Sequence, residues 1–190
     1  MGVGGGSGEG VNRAVFVDRD GVINRSVVRG GKPYSPHSLE QFEILPGVPE
    51  AIASLRAAGY RVIVVTNQPD VGAGRQTREG VERIHAHVRG SLQVDDIKVC
   101  YHTDGDACAC RKPKPGMLFD AAREWNIDLD ASVMVGDRWR DIDAGKAAGC
   151  RTILIENGYD ERAAEGFDAE VPSLLDASRM ILDGRLSNRP

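Results

Sequence analysis

The stretch Ala14-Val15-Phe16-Val17-Asp18-Arg19-Asp20-Gly21-Val22-Ile23 sets a short apolar run directly before a pair of carboxylates. Four apolar residues bounded by polar ones suit a buried strand. Asp18 and Asp20 are two residues apart, which leaves both carboxylates on one side of an extended chain. In that arrangement one can attack phosphorus while the other handles protons. Carboxylates this close also attract a divalent cation, which offsets their repulsion and that of an incoming phosphate. Gly21 permits the sharp turn by which the chain leaves the strand. The plainer alternative is an acidic turn at a strand end.

Outward from this stretch, apolar runs alternate with helical periodicity. Residues 61–65 (RVIVV) are β-branched and continuous, as in a strand covered on both faces. Further strands are expected at 97–101, 132–135, 151–155 and 169–171. Helices are expected at 46–58, 77–92, 115–125, 141–148 and 172–182. The first has a proline in its opening turn and Gly59 past its end. Strands that alternate with helices imply an α/β fold with a parallel sheet and right-handed crossovers. Ligands of such sheets bind beyond the carboxyl ends of the strands.

The residues at those ends carry further chemistry. Thr66-Asn67-Gln68 follows the second strand, where a Thr hydroxyl can donate to a phosphoryl oxygen and Asn67 can orient a substrate. Such a pair is as often a simple turn. Residues 69–75 then read as a flexible loop that brings Arg75 to a second charged group. Arg111-Lys112-Pro113-Lys114-Pro115 is a basic segment stiffened by proline. A lysine held there neutralises charge on a nucleophile and on a phosphoryl group; a solvated basic loop is the alternative. Gly136-Asp137-Arg138-Trp139-Arg140-Asp141 sets one acid at a strand end and another a helical turn later. That suits a metal ligand with a supporting carboxylate, or an acid at a helix N-terminus.

Three of the four cysteines fall within eleven residues. Cys100-x-His102 and Cys108-x-Cys110 offer three thiolates and one imidazole, the donor set of a closed tetrahedral zinc site. Reduced buried cysteines beside an unrelated histidine are the alternative. His37, His85 and His87 are isolated and read as surface or helix residues.

The bulk properties are those of one soluble domain. The chain has 190 residues, 41% hydrophobic and 27% charged, with a formal net charge of −4. That balance gives no pull toward nucleic acid or an acidic membrane surface. No apolar run approaches a membrane span. The Gly-rich start lacks a signal-peptide pattern. Residues 1–12 are expected to be a disordered leader, 13–183 a single domain with the zinc loop at 100–110, and 184–190 a tail. A cytoplasmic monomer is the expectation.

Taken together, Asp18-x-Asp20-Gly21-Val22-Ile23, Thr66-Asn67, Lys112 and Gly136-Asp137-x-x-x-Asp141 resemble the motifs of the haloacid dehalogenase (HAD) superfamily. The resemblance implies a Rossmann-like three-layer α/β/α sandwich around a central parallel sheet. It implies that Asp18 forms an aspartyl-phosphate, and that Asp20 protonates the leaving oxygen and then activates water. Thr66 and Lys112 would hold the phosphoryl group. Mg²⁺ would be bound by Asp18, the backbone carbonyl of Asp20 and Asp137, with Asp141 in support. Superfamily members that act on carbon–halogen bonds lack an acid at the Asp20 position. A leaving alkoxide needs a proton, so Asp20 favours phosphate ester hydrolysis.

The zinc loop before Arg111-Lys112-Pro113 narrows the resemblance to the heptose 1,7-bisphosphate phosphatases and the neighbouring histidinol-phosphate phosphatases. In that group the loop shapes the substrate entrance and the residue matching Arg111 aids binding. The spacing of the motifs leaves no room for a large cap domain; residues 24–45 can form only a flap. Arg75, Arg111 and Arg138 are candidates for groups remote from the reacting phosphate. The expectation is a small phosphorylated sugar as substrate, with the 7-phosphate of a heptose bisphosphate first and histidinol phosphate second. A non-catalytic zinc-stabilised binding protein is the alternative of another class.

Overall fold

The computed structural model describes residues 10–186. Most of the expected leader and the last four residues of the expected tail lie outside the described residues. Asn12, counted with the leader, is tied down: its N–H donates to Asn126 O at 2.8 Å and its side chain donates to Trp125 O at 2.6 Å.

Alternation along two strands explains the architecture. In β1 (Arg13–Val17), Val15 and Val17 enter one apolar cluster while Ala14 and Phe16 enter another. In β4 (Tyr60–Asn67), Val62 and Val64 join the first cluster, and Ile63 and Val65 the second. A sheet apolar on both faces must be covered on both. The first face takes α1 (Val48–Ala57), the C-terminal half of α3 (Arg78–Ser91) and α6 (Leu174–Leu182). The second takes α4 (Gly116–Trp125) and α5 (Trp139–Ala147). With β5 (Asp96–Cys100), β6 (Val133–Gly136), β7 (Arg151–Ile155) and β8 (Ala169–Val171), the sheet runs β5-β4-β1-β6-β7-β8. Every neighbouring pair is parallel. This is the three-layer α/β/α sandwich.

Two segments differ from expectation. Within the flap, β2 (Val27–Arg29) and β3 (Lys32–Tyr34) form an antiparallel hairpin. Its two-residue turn is Gly30-Gly31 at φ 56° and 77°, which glycine adopts at little cost. Residues 69–75 are not an open loop: Pro69–Gly72 form one turn of helix, α2, and Arg75 is fixed by Asp70 at 2.6 Å. Helix ends shift for local reasons. Gly47 takes φ +79° as the N-cap of α1, so the helix starts after Pro46. The Asp141 carboxylate accepts the Arg138 N–H at 3.1 Å, which caps α5 and starts it ahead of residue 141.

Helix α5 packs on the sheet through Gly145. A Cβ there would lie 2.7 Å from Met134 Cβ and from Thr152 Cγ2. Gly145→Ala is therefore expected to cost about 1–3 kcal/mol by overpacking, read as a lowered Tm with the fold retained.

Candidate active site

The ends of β1, β4 and β6 and the segment before α4 converge. The Asp18 N–H donates to Val135 O at 2.9 Å, which pins the first turn after β1 beside β6. The Asp18 Oδ1 then accepts the Arg19 N–H at 2.7 Å. Lys112 Nζ lies 2.9 Å from that same oxygen, 2.6 Å from Asp141 Oδ1 and 2.7 Å from Val65 O. An ammonium has three protons, and all three are used. Lys112 is 2% exposed, so its charge depends wholly on these partners. Burial opposes that charge, but Asp141 and Asp18 outweigh it and hold the Lys112 pKa above the ordinary value.

Asn67 makes a two-bond clasp on this lysine. Its Nδ2 donates to Lys112 O at 3.0 Å, and its Oδ1 accepts the Lys112 N–H at 3.1 Å. The expected substrate-orienting amide is thus engaged in aiming Lys112. Thr66 is buried, with its hydroxyl oxygen accepting from Gln68 Nε2 at 2.9 Å.

Asp137 and Asp141 complete the cluster. One carboxylate oxygen from each of Asp18, Asp137 and Asp141 falls within 4.8 Å of the others. All three residues are buried, and Lys112 is the cation that touches Asp18 and Asp141. The electrostatic result is large. Burial, with Asp141 adding repulsion, pushes the Asp18 carboxyl up to about 7 against the pull of Lys112. Burial and the charges of Asp18 and Asp141 also raise Asp137 well above the carboxylate range. Asp137 Oδ1 is buried without a hydrogen-bond partner. On the other side, a Cβ on Gly21 would sit 1.8 Å from Asp137 Oδ2, so only glycine fits against this carboxylate. Excess buried negative charge with an orphaned oxygen fits a hard divalent cation such as Mg²⁺.

Asp20 belongs to a separate network. Its Oδ1 accepts from Arg19 Nε at 3.1 Å, Arg19 Nη2 at 3.0 Å and Asn24 Nδ2 at 3.0 Å. Its Oδ2 accepts from Ser35 Oγ at 2.7 Å and Gln68 Nε2 at 2.9 Å. Burial alone would raise its pKa, but Arg19 and these donors outweigh it and hold the group below the carboxylate range. In this geometry Asp20 is an anion ready to accept a proton.

Asp18 and Asp20 both line a cavity of 180 Å³, with Tyr34, Asn67, Arg75 and Arg138 among its walls. The three expected remote arginines are each already paired. Arg75 holds Asp70, Arg111 holds Asp104 at 2.8 Å, and Arg138 grips Glu161 through two nitrogens. Arg75 and Arg138 face the cavity, whereas Arg111 is not among its lining residues. Sequence reading missed several contributors besides Arg19 and Asn24. Ser35 and Gln68 hold Asp20, and Asn157 donates to Asp137 Oδ2 at 3.2 Å and to Gly21 O at 3.0 Å. Asn157 follows β7, so the rule of inspecting strand ends would have found it.

At the end of β5, Cys100 Sγ lies 3.1 Å from Cys110 Sγ, 3.9 Å from Cys108 Sγ and 3.5 Å from His102 Nδ1. His102 Nδ1 lies 3.3 Å from Cys110 Sγ. An ion about 2.3 Å from each sulfur would separate tetrahedral donors by about 3.7 Å, so the cluster has the size of a zinc site.

Comparison with known proteins agrees with this geometry. Residues 109–177 match the HAD-hydrolase-like family model. The chain is 37% identical over 158 residues to a D-glycero-β-D-manno-heptose-1,7-bisphosphate 7-phosphatase of Rhodopseudomonas palustris, covering 75% of this chain and 83% of that one. It is 37% identical over 160 residues to the enzyme of the same name from Pasteurella multocida, covering 78% and 84%. It resembles the crystal structure of D,D-heptose 1,7-bisphosphate phosphatase from B. bronchiseptica complexed with magnesium and phosphate. That match has a TM-score of 0.78 and 32% identity, and covers 90% of this chain and 98% of the other. Among the described residues, no helix is long and apolar enough to cross a membrane. With relatives this similar over most of both chains, and with the ends of β1, β4 and β6 and the Lys112 segment gathered at one end of the sheet, the chain belongs to the HAD superfamily, among its phosphoric monoester hydrolases.

Proposed function

We propose that this chain removes the 7-phosphate from D-glycero-β-D-manno-heptose 1,7-bisphosphate through an aspartyl-phosphate on Asp18. The observation that carries the proposal is the fixed orientation of Asp18. Lys112 Nζ and the Arg19 N–H both hold its Oδ1, so Oδ2 is the oxygen that attacks phosphorus. The P–O bond to the sugar breaks as the Asp18–P bond forms. The sugar oxygen needs a proton, and Asp20, an anion in the free protein that must first take up a proton as the substrate phosphate enters, is the group beside the cavity that supplies it. Asp20 then takes a proton from water as water attacks the acyl phosphate, which restores both aspartates. Lys112 balances charge on the phosphoryl oxygens, and the Thr66 hydroxyl donates a hydrogen bond to one of them. Asp18, Asp137 and the Asp20 carbonyl would hold Mg²⁺, with Asp141 in support; the ion supplies charge neutralisation that lets an anionic nucleophile meet a dianion. Cys100, His102, Cys108 and Cys110 would hold Zn²⁺ with no position left open, which makes it a structural ion. Arg75 and Arg138, on the cavity wall, suit the remote phosphate of a bisphosphate.

The substrate is tested by phosphate release from both anomers of the heptose bisphosphate and from histidinol phosphate. The β anomer is expected to give the highest kcat/KM, with heptose 1-phosphate as product. EDTA is expected to stop turnover and Mg²⁺ to restore it. A preference for histidinol phosphate would end the heptose assignment.

A further inference from the structure

Behind Asp20 lies a buried polar chain that the reaction as described does not use. Arg19 is 0% exposed, and three of its hydrogen bonds go to the Asp20 carboxylate. Its remaining terminal nitrogen, Nη1, lies 3.1 Å from His85 Nε2. His85 is also 0% exposed, and its other ring nitrogen, Nδ1, lies 3.2 Å from Glu82 Oε1. Glu82 in turn accepts from the Tyr101 hydroxyl, and Arg78 stacks over the Tyr101 ring at 4.8 Å.

The protons on this chain are fixed by its ends. A guanidinium has only donors, so His85 Nε2 must be an acceptor. A carboxylate has only acceptors, so Nδ1 must carry the hydrogen. That is one neutral tautomer. Burial and the neighbouring Arg19 charge push His85 down to about 4 against the pull of Glu82, which agrees with a neutral ring. A buried guanidinium whose nitrogens are paired on both sides has no freedom to turn. Arg19 therefore presents its fork to Asp20 in one orientation.

We infer that His85, oriented by Glu82, is a positioning residue that locks Arg19 and through it aims the Asp20 carboxyl at the leaving oxygen. The inference rests on the phosphatase reading and deepens it. Removing the His85 acceptor leaves Arg19 Nη1 buried and unpaired. The guanidinium then shifts to find a new partner, and Asp20 shifts with it. Lys112 and Asp137 are not part of this chain of contacts, and Asp18 meets it only through the backbone N–H of Arg19, not through the guanidinium. The loss should thus fall on proton delivery and spare the attack of Asp18.

A leaving-group series separates the two effects. kcat/KM reports the steps up to the aspartyl-phosphate, and aryl phosphates from 4-nitrophenyl to phenyl differ in how much the departing oxygen needs a proton. In His85→Leu, kcat/KM is expected to fall about tenfold for phenyl phosphate and to change little for 4-nitrophenyl phosphate, a small part of the range general acid catalysis supplies. The dependence on leaving-group acidity becomes steeper. His85→Gln, whose amide can accept from Arg19 and donate to Glu82, is expected to restore the wild-type slope. Glu82→Ala, at a side chain 43% exposed, is expected to steepen the slope in the same sense and decides the matter alone if His85→Leu does not fold. An unchanged slope in the folded variants, or an equal loss on every ester, would overturn the positioning role. Turnover that survives Asp18→Asn would instead bring down the phosphatase mechanism and this inference with it.

Discussion

Asp18→Asn is expected to lower kcat by about 10⁴-fold or more, because an amide cannot form the acyl phosphate on which the proposed reaction depends. The same substitution should not harm the fold. Asp18 is a buried carboxyl pushed up to about 7 by burial and by Asp141. The folded chain thus keeps a proton that the unfolded chain gives up near its ordinary value of 3.8. Stability of the metal-free protein therefore falls as pH rises through that window, since the folded state binds more protons there. An asparagine side chain does not ionise and carries no such decline. Thermal melts at pH 7.5 without metal should find Asp18→Asn at least as stable as the wild type. Added Mg²⁺ should raise the wild-type Tm and raise the variant's less. Turnover near the wild-type rate would rule out Asp18 as nucleophile.

Cys108→Ser is expected to be the most damaging change far from the reacting phosphorus. Three thiols and an imidazole packed within 4.8 Å are poorly matched to one another without an ion, and burial pushes the Cys100 thiol up. Proposed zinc binding supplies folding free energy to the loop. Losing a ligand is assigned a cost of about 3 kcal/mol, which for a domain of this size lowers Tm by about 6–12 °C. The effect should reach catalysis as well. Cys110 is two residues before Lys112, and Lys114 Nζ donates to Cys108 O at 2.7 Å. A loosened loop therefore disturbs the lysine that orients Asp18. Metal analysis should find one zinc per wild-type chain and less in the variant. A wild-type protein that purifies without zinc, and a variant with the same Tm, would remove the ion from the account.

The sheet was legible because its strands are continuous apolar runs, and the candidate site was legible because polar residues follow those runs. Asp18, Thr66 and Asp137 stand at one end of the sheet for that reason, and Lys112 and Asp141 reach the same place from the segment before α4 and the first turn of α5. The hairpin was harder to see. Its strands are three residues each, too short for alternation to register, although Gly30-Gly31 between Arg29 and Lys32 is a turn signal of the expected kind. His85 was readable in part. It shares the helical stripe of Val81, Ile84 and Val88, and that spacing points it inward. What spacing does not convey is the second partner. Glu82, three residues earlier on the same helix, is in reach by spacing alone, but Arg19 meets His85 only after α3 docks beside the turn that follows β1. The pairing of Arg75, Arg111 and Arg138 with Asp70, Asp104 and Glu161 was hidden for the same reason: each partner is an ordinary acid until the fold places it.

Covalent capture tests the proposed nucleophile most directly. Enzyme quenched in acid during turnover and reduced with borohydride should carry homoserine in the peptide that spans residue 18, since only an acyl phosphate is reduced under those conditions. Recovery of an intact aspartate at position 18 from enzyme in full turnover, or reduction at another carboxylate, would contradict the account.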